Sequence, residues 1–301
     1  MNRLAALILA ALSGFALAQP QPAVQVVTHA FSTADERLVL DVYLPADYPQ
    51  DADLPVIFMI HGGGYVAGRK EILAPYAAYF AERGYAVVTP QYRLAPIHPY
   101  PTPISDVVCA LAWTTTNPDG YPFDLSRVAI IGESAGGNAA ALLAAHDDLP
   151  ALLDGCAYAL PNEFTFRAAV TYYMYGDLTT CTARCGLLKR VTGGYLGVNL
   201  LELGSRQLEA AWADASPLAW IDGSEPPTLV IHGTADNIVP ISESEHYAER
   251  LADVGVTVEV LYPDGAPHGF IEKFAVTGSI EARDAVEAFL ARMLAEDGSS
   301  N

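Results

Sequence analysis

The stretch Val128-Ala129-Ile130-Ile131-Gly132-Glu133-Ser134-Ala135-Gly136-Gly137 constrains this chain more than any other segment. A short apolar run, as expected for a strand covered on both faces, meets a helix start built from Ala and Gly. Between them lies Gly-x-Ser-x-Gly. A strand that turns sharply into a helix brings its own backbone so close that side chains two positions either side of the central residue collide. Glycine is therefore required at 132 and 136. The turn lifts the Ser134 hydroxyl clear of the sheet, at the N-terminus of the following helix. A glycine-rich phosphate-binding turn is the competing reading. The Gly-x-x-x-x-Gly-Lys-Ser/Thr spacing of a phosphate loop is missing here.

A turn of this kind needs an open α/β sheet, and the rest of the chain reads as one. Period-two runs at 24–30 and 37–44, joined by a polar turn at 32–36, predict an antiparallel edge hairpin. Strand-like runs at 55–60, 85–89, 127–131, 166–173, 228–232 and 257–262 alternate with helical patterns at 71–83, 104–116, 135–146, 242–254 and 280–294. Such alternation means βαβ crossovers, hence an α/β class with a mostly parallel central sheet and helices on both faces. The 301 residues suffice for one large domain, expected over 19–301. Residues 176–224 break the alternation and read as a small helical and loop cap insertion over the site.

A serine hydroxyl becomes a nucleophile only beside a base that is itself oriented. Of the seven histidines, His268 is placed for this, in Asp264-Gly265-Ala266-Pro267-His268-Gly269-Phe270 after the last strand. The carboxyl ends of parallel strands form the ligand face of an open α/β sheet. His29 and His98 fall in N-terminal and Pro-rich contexts, His146 and His246 on expected exposed helix positions, and His232 at a strand end where packing or local hydrogen bonding is expected. Asp236 follows the preceding strand and is the expected acid; Asp264 is its rival, read instead as a turn former before Gly265. Negative charge building on a carbonyl oxygen needs fixed N–H donors. His61-Gly62-Gly63-Gly64-Tyr65, directly after the strand ending at Ile60, offers Gly63 and Gly64 as such donors, with Ala135 as the third. His61 is expected to brace this loop rather than transfer protons. Tyr65, Tyr172, Tyr173, Tyr175 and Phe270 are candidates for an aromatic acyl or alcohol pocket, with plain core packing the alternative.

With His61-Gly62-Gly63-Gly64, Tyr92-Arg93-Leu94-Ala95-Pro96, Gly132 to Gly137, Asp236 and His268-Gly269-Phe270, the chain resembles the hormone-sensitive-lipase-like branch of the α/β-hydrolases. The resemblance runs from about Leu38 to the last helix. It implies the α/β-hydrolase fold, carboxylesterase activity on a small-molecule ester, usually of short acyl chain, and no cofactor. It also implies that Tyr92 to Pro96 and Asp106 are scaffold residues near the site. The helical N-terminal cap usual in the branch is not expected here, since strand-like sequence begins soon after the leader, which resembles smaller bacterial esterases, including those acting on feruloyl or acetyl groups of plant polysaccharides. Acyl and alcohol preference stay open, as does an amidase or peptidase on the same scaffold. A degenerate binding module would usually lack Ser134, His268 or an oxyanion glycine, and a haloalkane-type hydrolase would carry Asp at position 134.

The N-terminus reads as a cleavable leader at 1–18: Arg3, an apolar stretch at 4–17, and Ala16-Leu17-Ala18 at the cleavage position. That stretch is shorter than the roughly 20 residues that span a bilayer, and no span is expected in the mature chain. A secreted or periplasmic protein is the expectation, and disulfides are then permissible. Four cysteines allow three pairings; Cys181–Cys185 and Cys109–Cys156 are favoured. No His lies at ligand spacing from either pair, so no metal site is expected. A net charge of −19 without a Lys/Arg cluster argues against a nucleic-acid partner. Oligomeric state is not legible.

Overall fold

Short apolar blocks bounded by turn residues are stable as strands only where both faces are covered, so they collect at the centre of the molecule. The computed structural model describes residues 23–49, 51–146, 148–153, 155–179, 194–196 and 206–296. Among them, strands β1 (Val24–Ala30), β2 (Val39–Pro45), β3 (Leu54–Ile60), β4 (Ala86–Pro90), β5 (Phe123–Glu133), β6 (Ala168–Tyr172), β7 (Thr228–Ile231) and β8 (Val258–Leu261) form one sheet. Its order is β1-β2-β4-β3-β5-β6-β7-β8. The β1–β2 and β2–β4 pairings are antiparallel and all the others parallel. The expected hairpin thus forms one edge.

Helices α1 (Ala74–Ala81), α2 (Thr102–Thr116), α3 (Ala135–Ala145), α4 (Arg206–Asp214), α5 (Ile241–Asp253) and α6 (Thr277–Met293) connect or flank the strands. The alternation of side chains along a strand divides the core in two. Val56, Phe58 and Ile60 of β3 face Ile104, Leu111 and Leu142 of α2 and α3. Ile57 and Met59 face Tyr76, Phe80, Val286 and Phe289 of α1 and α6. A fully buried Leu, Ile or Phe contributes roughly 1.5–3 kcal/mol relative to exposure, so these two layers carry most of the fold's stabilisation.

Two boundaries differ from the sequence reading. The helix expected from Glu71 begins as a 3₁₀ turn over Lys70–Leu73, and α1 starts only at Ala74. Pro75 is the reason: it has no N–H to give the Glu71 carbonyl, and is tolerated only in a first turn. Strand β5 starts at Phe123 rather than Arg127, because Phe123 and Asp124 pair with Leu54 and Pro55, and a register shift at Pro55/Val56 lets Leu125 to Arg127 bulge out before pairing resumes at Val128. Cys109 and Cys156 are disulfide-bonded, with Cα atoms 5.6 Å apart. Cys181 and Cys185 lie outside the described residues. Among the described residues, no helix is long and apolar enough to cross a membrane.

In the described part of 176–224 there is a helix, α4, and a 3₁₀ turn at Pro217–Ala219, with no strand. Trp212 and Ala215 insert into the first core layer. The Tyr100 hydroxyl donates to Asp214 (2.6 Å), and Leu178 N–H donates to the Ser216 hydroxyl (2.8 Å). His146, expected on an exposed position, is half-buried and stacks on Trp220, 4.3 Å between ring centroids.

Candidate active site

Ser134 is a non-glycine residue at φ 53° and ψ −117°, between the last residue of β5 and the first of α3. That conformation is sterically costly for a side-chain-bearing residue, and persists only where neighbours over-determine it. The neighbours are visible. A Cβ on Gly132 would collide with the Gly136 carbonyl, and a Cβ on Gly136 with the Ile60 and His61 carbonyls. Ser134 N–H donates to Tyr172 O (2.9 Å), and Asn138 N–H to Ser134 O (3.0 Å). The strand-to-helix turn is therefore clamped against β3 and β6 by backbone alone.

Gly63 and Gly64 follow β3 at φ 110° and 62°, a region favouring glycine. Val66 and Ala67 N–H both donate to Gly63 O (3.1 and 3.0 Å), which folds the loop back on itself. Among the described residues, no main-chain acceptor engages the N–H groups of Gly63, Gly64 or Ala135. Four side chains hold the loop. His61 is fully buried, stacks on Tyr92 (4.2 Å) and donates from Nδ1 to Gly62 O (2.8 Å). Burial lowers its pKa to about 4, which fits bracing and not proton transfer. The Tyr92 hydroxyl donates to His61 O (2.8 Å), and the Tyr65 hydroxyl to Asn138 Oδ1 (2.8 Å) on α3. Glu133, 3% exposed, accepts the Gly62 N–H, and burial raises its carboxyl to about 7 against the lowering pull of that bond.

His268 and Asp236 come from the loops after β8 and β7. His268 Nε2 is 3.0 Å from Ser134 Oγ, and its Nδ1 is 2.7 Å from Asp236 Oδ2. A carboxylate can only accept, so Nδ1 carries the hydrogen and Nε2 is left to accept from the Ser134 hydroxyl. Asp236 Oδ1 accepts the N–H groups of Ile238 (2.8 Å) and Val239 (2.9 Å). Burial alone would raise the Asp236 pKa; donors from His232, His268 and Val239 override it and hold the group below the usual carboxylate range.

The structure therefore brings Ser134, Asp236 and His268 together. Asp264 is exposed and accepts the Thr234 hydroxyl (3.1 Å), as a turn residue would. The five aromatic residues do not form one pocket: Tyr65 and Tyr175 pack in one core layer, Tyr172, Tyr173 and Phe270 in the other, all buried. Tyr173 does set its ring edge against His268 (4.7 Å). Arg93 grips Asp106 with two nitrogens (2.9 and 2.7 Å), a scaffold contact. Two further site residues escaped the sequence reading. Glu133 is a charge ending an apolar run, and Asn138 is the one amide in an Ala-rich helix. Each breaks its local pattern, which is the signal that could have found it.

The sequence matches the BD-FAE family over residues 40–251, more than half its length. The chain belongs to the BD-FAE family. Among curated proteins it is 30% identical to the probable carboxylic ester hydrolase LipM of Mycobacterium tuberculosis, over 85% of this chain and 58% of that one. Esterase LipC of the same organism is 32% identical, over 78% and 58%. This member of the BD-FAE family thus spans 58% of the length of each of these relatives. Among solved structures, esterase B from Lactobacillus rhamnosis superposes with a TM-score of 0.76 at 23% identity, covering 91% of this chain and 88% of that one. A Thermogutta terrifontis esterase gives 0.71 at 24%, covering 92% and 96%. These likenesses establish the α/β-hydrolase fold. The BD-FAE match contains the Gly62-Gly63-Gly64 loop, Ser134 and Asp236, while His268 lies beyond its end.

Proposed function

We propose that this protein is a serine carboxylesterase hydrolysing small, short-acyl carboxylic esters through an acyl-enzyme on Ser134. The observation that carries the reading is the chain of contacts Ser134 Oγ–His268 Nε2–His268 Nδ1–Asp236 Oδ2, at 3.0 and 2.7 Å, beside three amides that no main-chain acceptor engages among the described residues. Ser134 Oγ attacks the ester carbonyl while His268 Nε2 takes its proton. Asp236 holds the tautomer and stabilises the imidazolium. The oxyanion is met by N–H groups of Gly63, Gly64 and Ala135, each worth about 2.7–4 kcal/mol in comparable sites. The alcohol leaves with the proton from His268, and water repeats the sequence on the acyl-enzyme to release the acid.

A short acyl group is favoured because Tyr65, which directly follows the glycine loop, is packed, and Tyr175 and Trp212 of the same core layer are buried with it. The Thermogutta terrifontis esterase has also been solved with propionate bound. Export belongs to the same reading, supported by the leader pattern at 1–18 and the Cys109–Cys156 bond, which suits an oxidising compartment. The test is p-nitrophenyl esters of rising chain length, beside feruloyl, acetylated-sugar and anilide substrates, with wild type and Ser134→Ala. Rapid turnover of short esters by wild type alone is expected. Equal rates for the two proteins would overturn the reading, and a preference for feruloyl esters or anilides would replace its substrate class.

A further inference from the structure

We infer that His232, held by Ser244, is a positioning residue that fixes the orientation of the Asp236 carboxylate toward His268. The inference rests on the triad reading above and extends it one shell inward. His232 follows β7 and is fully buried, as is Ser244 on α5. Its Nδ1 lies 2.7 Å from Ser244 Oγ, and its Nε2 lies 3.0 Å from Val239 O and 3.3 Å from Asp236 Oδ2. Both neighbours of Nε2 are acceptors, so that nitrogen carries hydrogen. In the neutral ring Nδ1 then accepts the Ser244 hydroxyl, and every polar atom of the pair is satisfied.

The consequence lies at Asp236, whose side chain is 1% exposed. Oδ1 is pinned by two backbone N–H groups of its own loop. Oδ2 faces two imidazoles, His232 from behind and His268 in front. Two donors on one oxygen and two on the other leave the carboxylate a single rotation about its Cβ–Cγ bond. Without His232, Oδ2 is held by the partly exposed His268 alone, and Val239 O loses a buried donor. A histidine kept only for packing would need neither Ser244 at Nδ1 nor acceptors at Nε2. The five groups Ser244, His232, Asp236, His268 and Ser134 form one continuous line of contacts from α5 to the nucleophile.

The test uses the full-length protein and p-nitrophenyl acetate. His232→Leu is expected to lower kcat by roughly 10–100-fold, the range seen when an orienting outer partner is removed, with KM within about twofold. His232→Gln, which keeps an N–H near the Nε2 position, should recover most of it, and Ser244→Ala should fall between. In an Asp236→Ala background, His232→Leu should cost less than about twofold more, because the residue acts through Asp236. Equal cost in both backgrounds, or no cost with Asp236 present, overturns the inference. If His232→Leu does not fold, His232→Gln and Ser244→Ala in the two backgrounds decide the question. A second readout separates this inference from the esterase reading. The far-downfield proton signal of His268 Nδ1–H, identified by its absence in His268→Ala, should shift in Ser244→Ala and His232→Leu and return in His232→Gln. An unmoved signal overturns the positioning role even if esterase activity is present. A shifted signal supports it even if no ester is turned over.

Discussion

The turn after β5 and the turn after β7 both end a buried parallel strand, yet they hold their side chains by different means. At Ser134 the constraint is the backbone: Gly132, Gly136 and the Ile60 and His61 carbonyls leave no room for any other path. At Asp236 the backbone is ordinary, and the side chain is held by hydrogen bonds from Ile238, Val239, His268 and His232. Steric exclusion tolerates no substitution. A hydrogen-bonded carboxylate loses orientation by degrees as its donors are removed.

Variants at the two turns can break or sharpen that contrast. Ser134→Ala should lower kcat by about 10⁴-fold or more with the fold intact, measured by steady-state hydrolysis and circular dichroism. Asp236→Asn should cost about 10³–10⁴-fold, since an amide that keeps its one oxygen on the Ile238 and Val239 N–H groups turns its NH2 toward Nδ1, and the imidazole is left in the wrong tautomer. Gly132→Ala acts on the other kind of constraint. It should destabilise by about 3 kcal/mol or more in urea unfolding, because the new methyl meets the Gly136 carbonyl; an unchanged midpoint would mean the turn is not sterically locked.

Glu133→Gln tests the link between the turn after β5 and the glycine loop after β3. Burial raises the Glu133 carboxyl from 4.5 to about 7. The folded protein then binds more protons than the unfolded chain between those values, so stability falls as pH rises through that window and stays lower above it. Glu133→Gln removes this fall, so its stability relative to wild type should improve from pH 5 to pH 8 by up to about 3 kcal/mol, read by thermal melts. Glutamine still offers an oxygen to Gly62 N–H, so the Gly62-Gly63-Gly64 loop should survive. Asp264→Asn is the smallest change, expected within about 0.5 kcal/mol and near-normal activity, since its carboxylate only caps a turn at the surface. A severe loss there would move the acid from Asp236 to Asp264.

The difference between the two turns also explains what could be read from the chain alone. Gly132, Gly136 and the Gly62-Gly63-Gly64 run are legible because steric demands leave a residue-type signature at fixed spacing. Strand β5 and its partners are legible for the same reason, as apolar runs that only a double-covered sheet can hide. Helix α1 starts one turn later than its amphipathic pattern predicts, because Pro75 overrides that pattern. His146 is half-buried where its helix pattern predicts exposure, because a neighbour distant in sequence, Trp220, covers it. The aromatic residues could not be sorted by sequence into one pocket, since which face of the sheet each meets depends on helices packed from elsewhere.

The sequence by itself determined the α/β alternation, the strand-to-helix turn with its serine, and the chain order of Ser134, Asp236 and His268. These are consequences of local sterics and periodicity, which act between residues close along the chain. Only the tertiary structure decided that His268 meets both partners at hydrogen-bond distance, that Glu133 reaches Gly62, and that His232 stands behind Asp236. Those contacts join residues whose separation in sequence runs from 4 to 134 positions. Their geometry follows from how eight strands twist and pack, which no local pattern encodes.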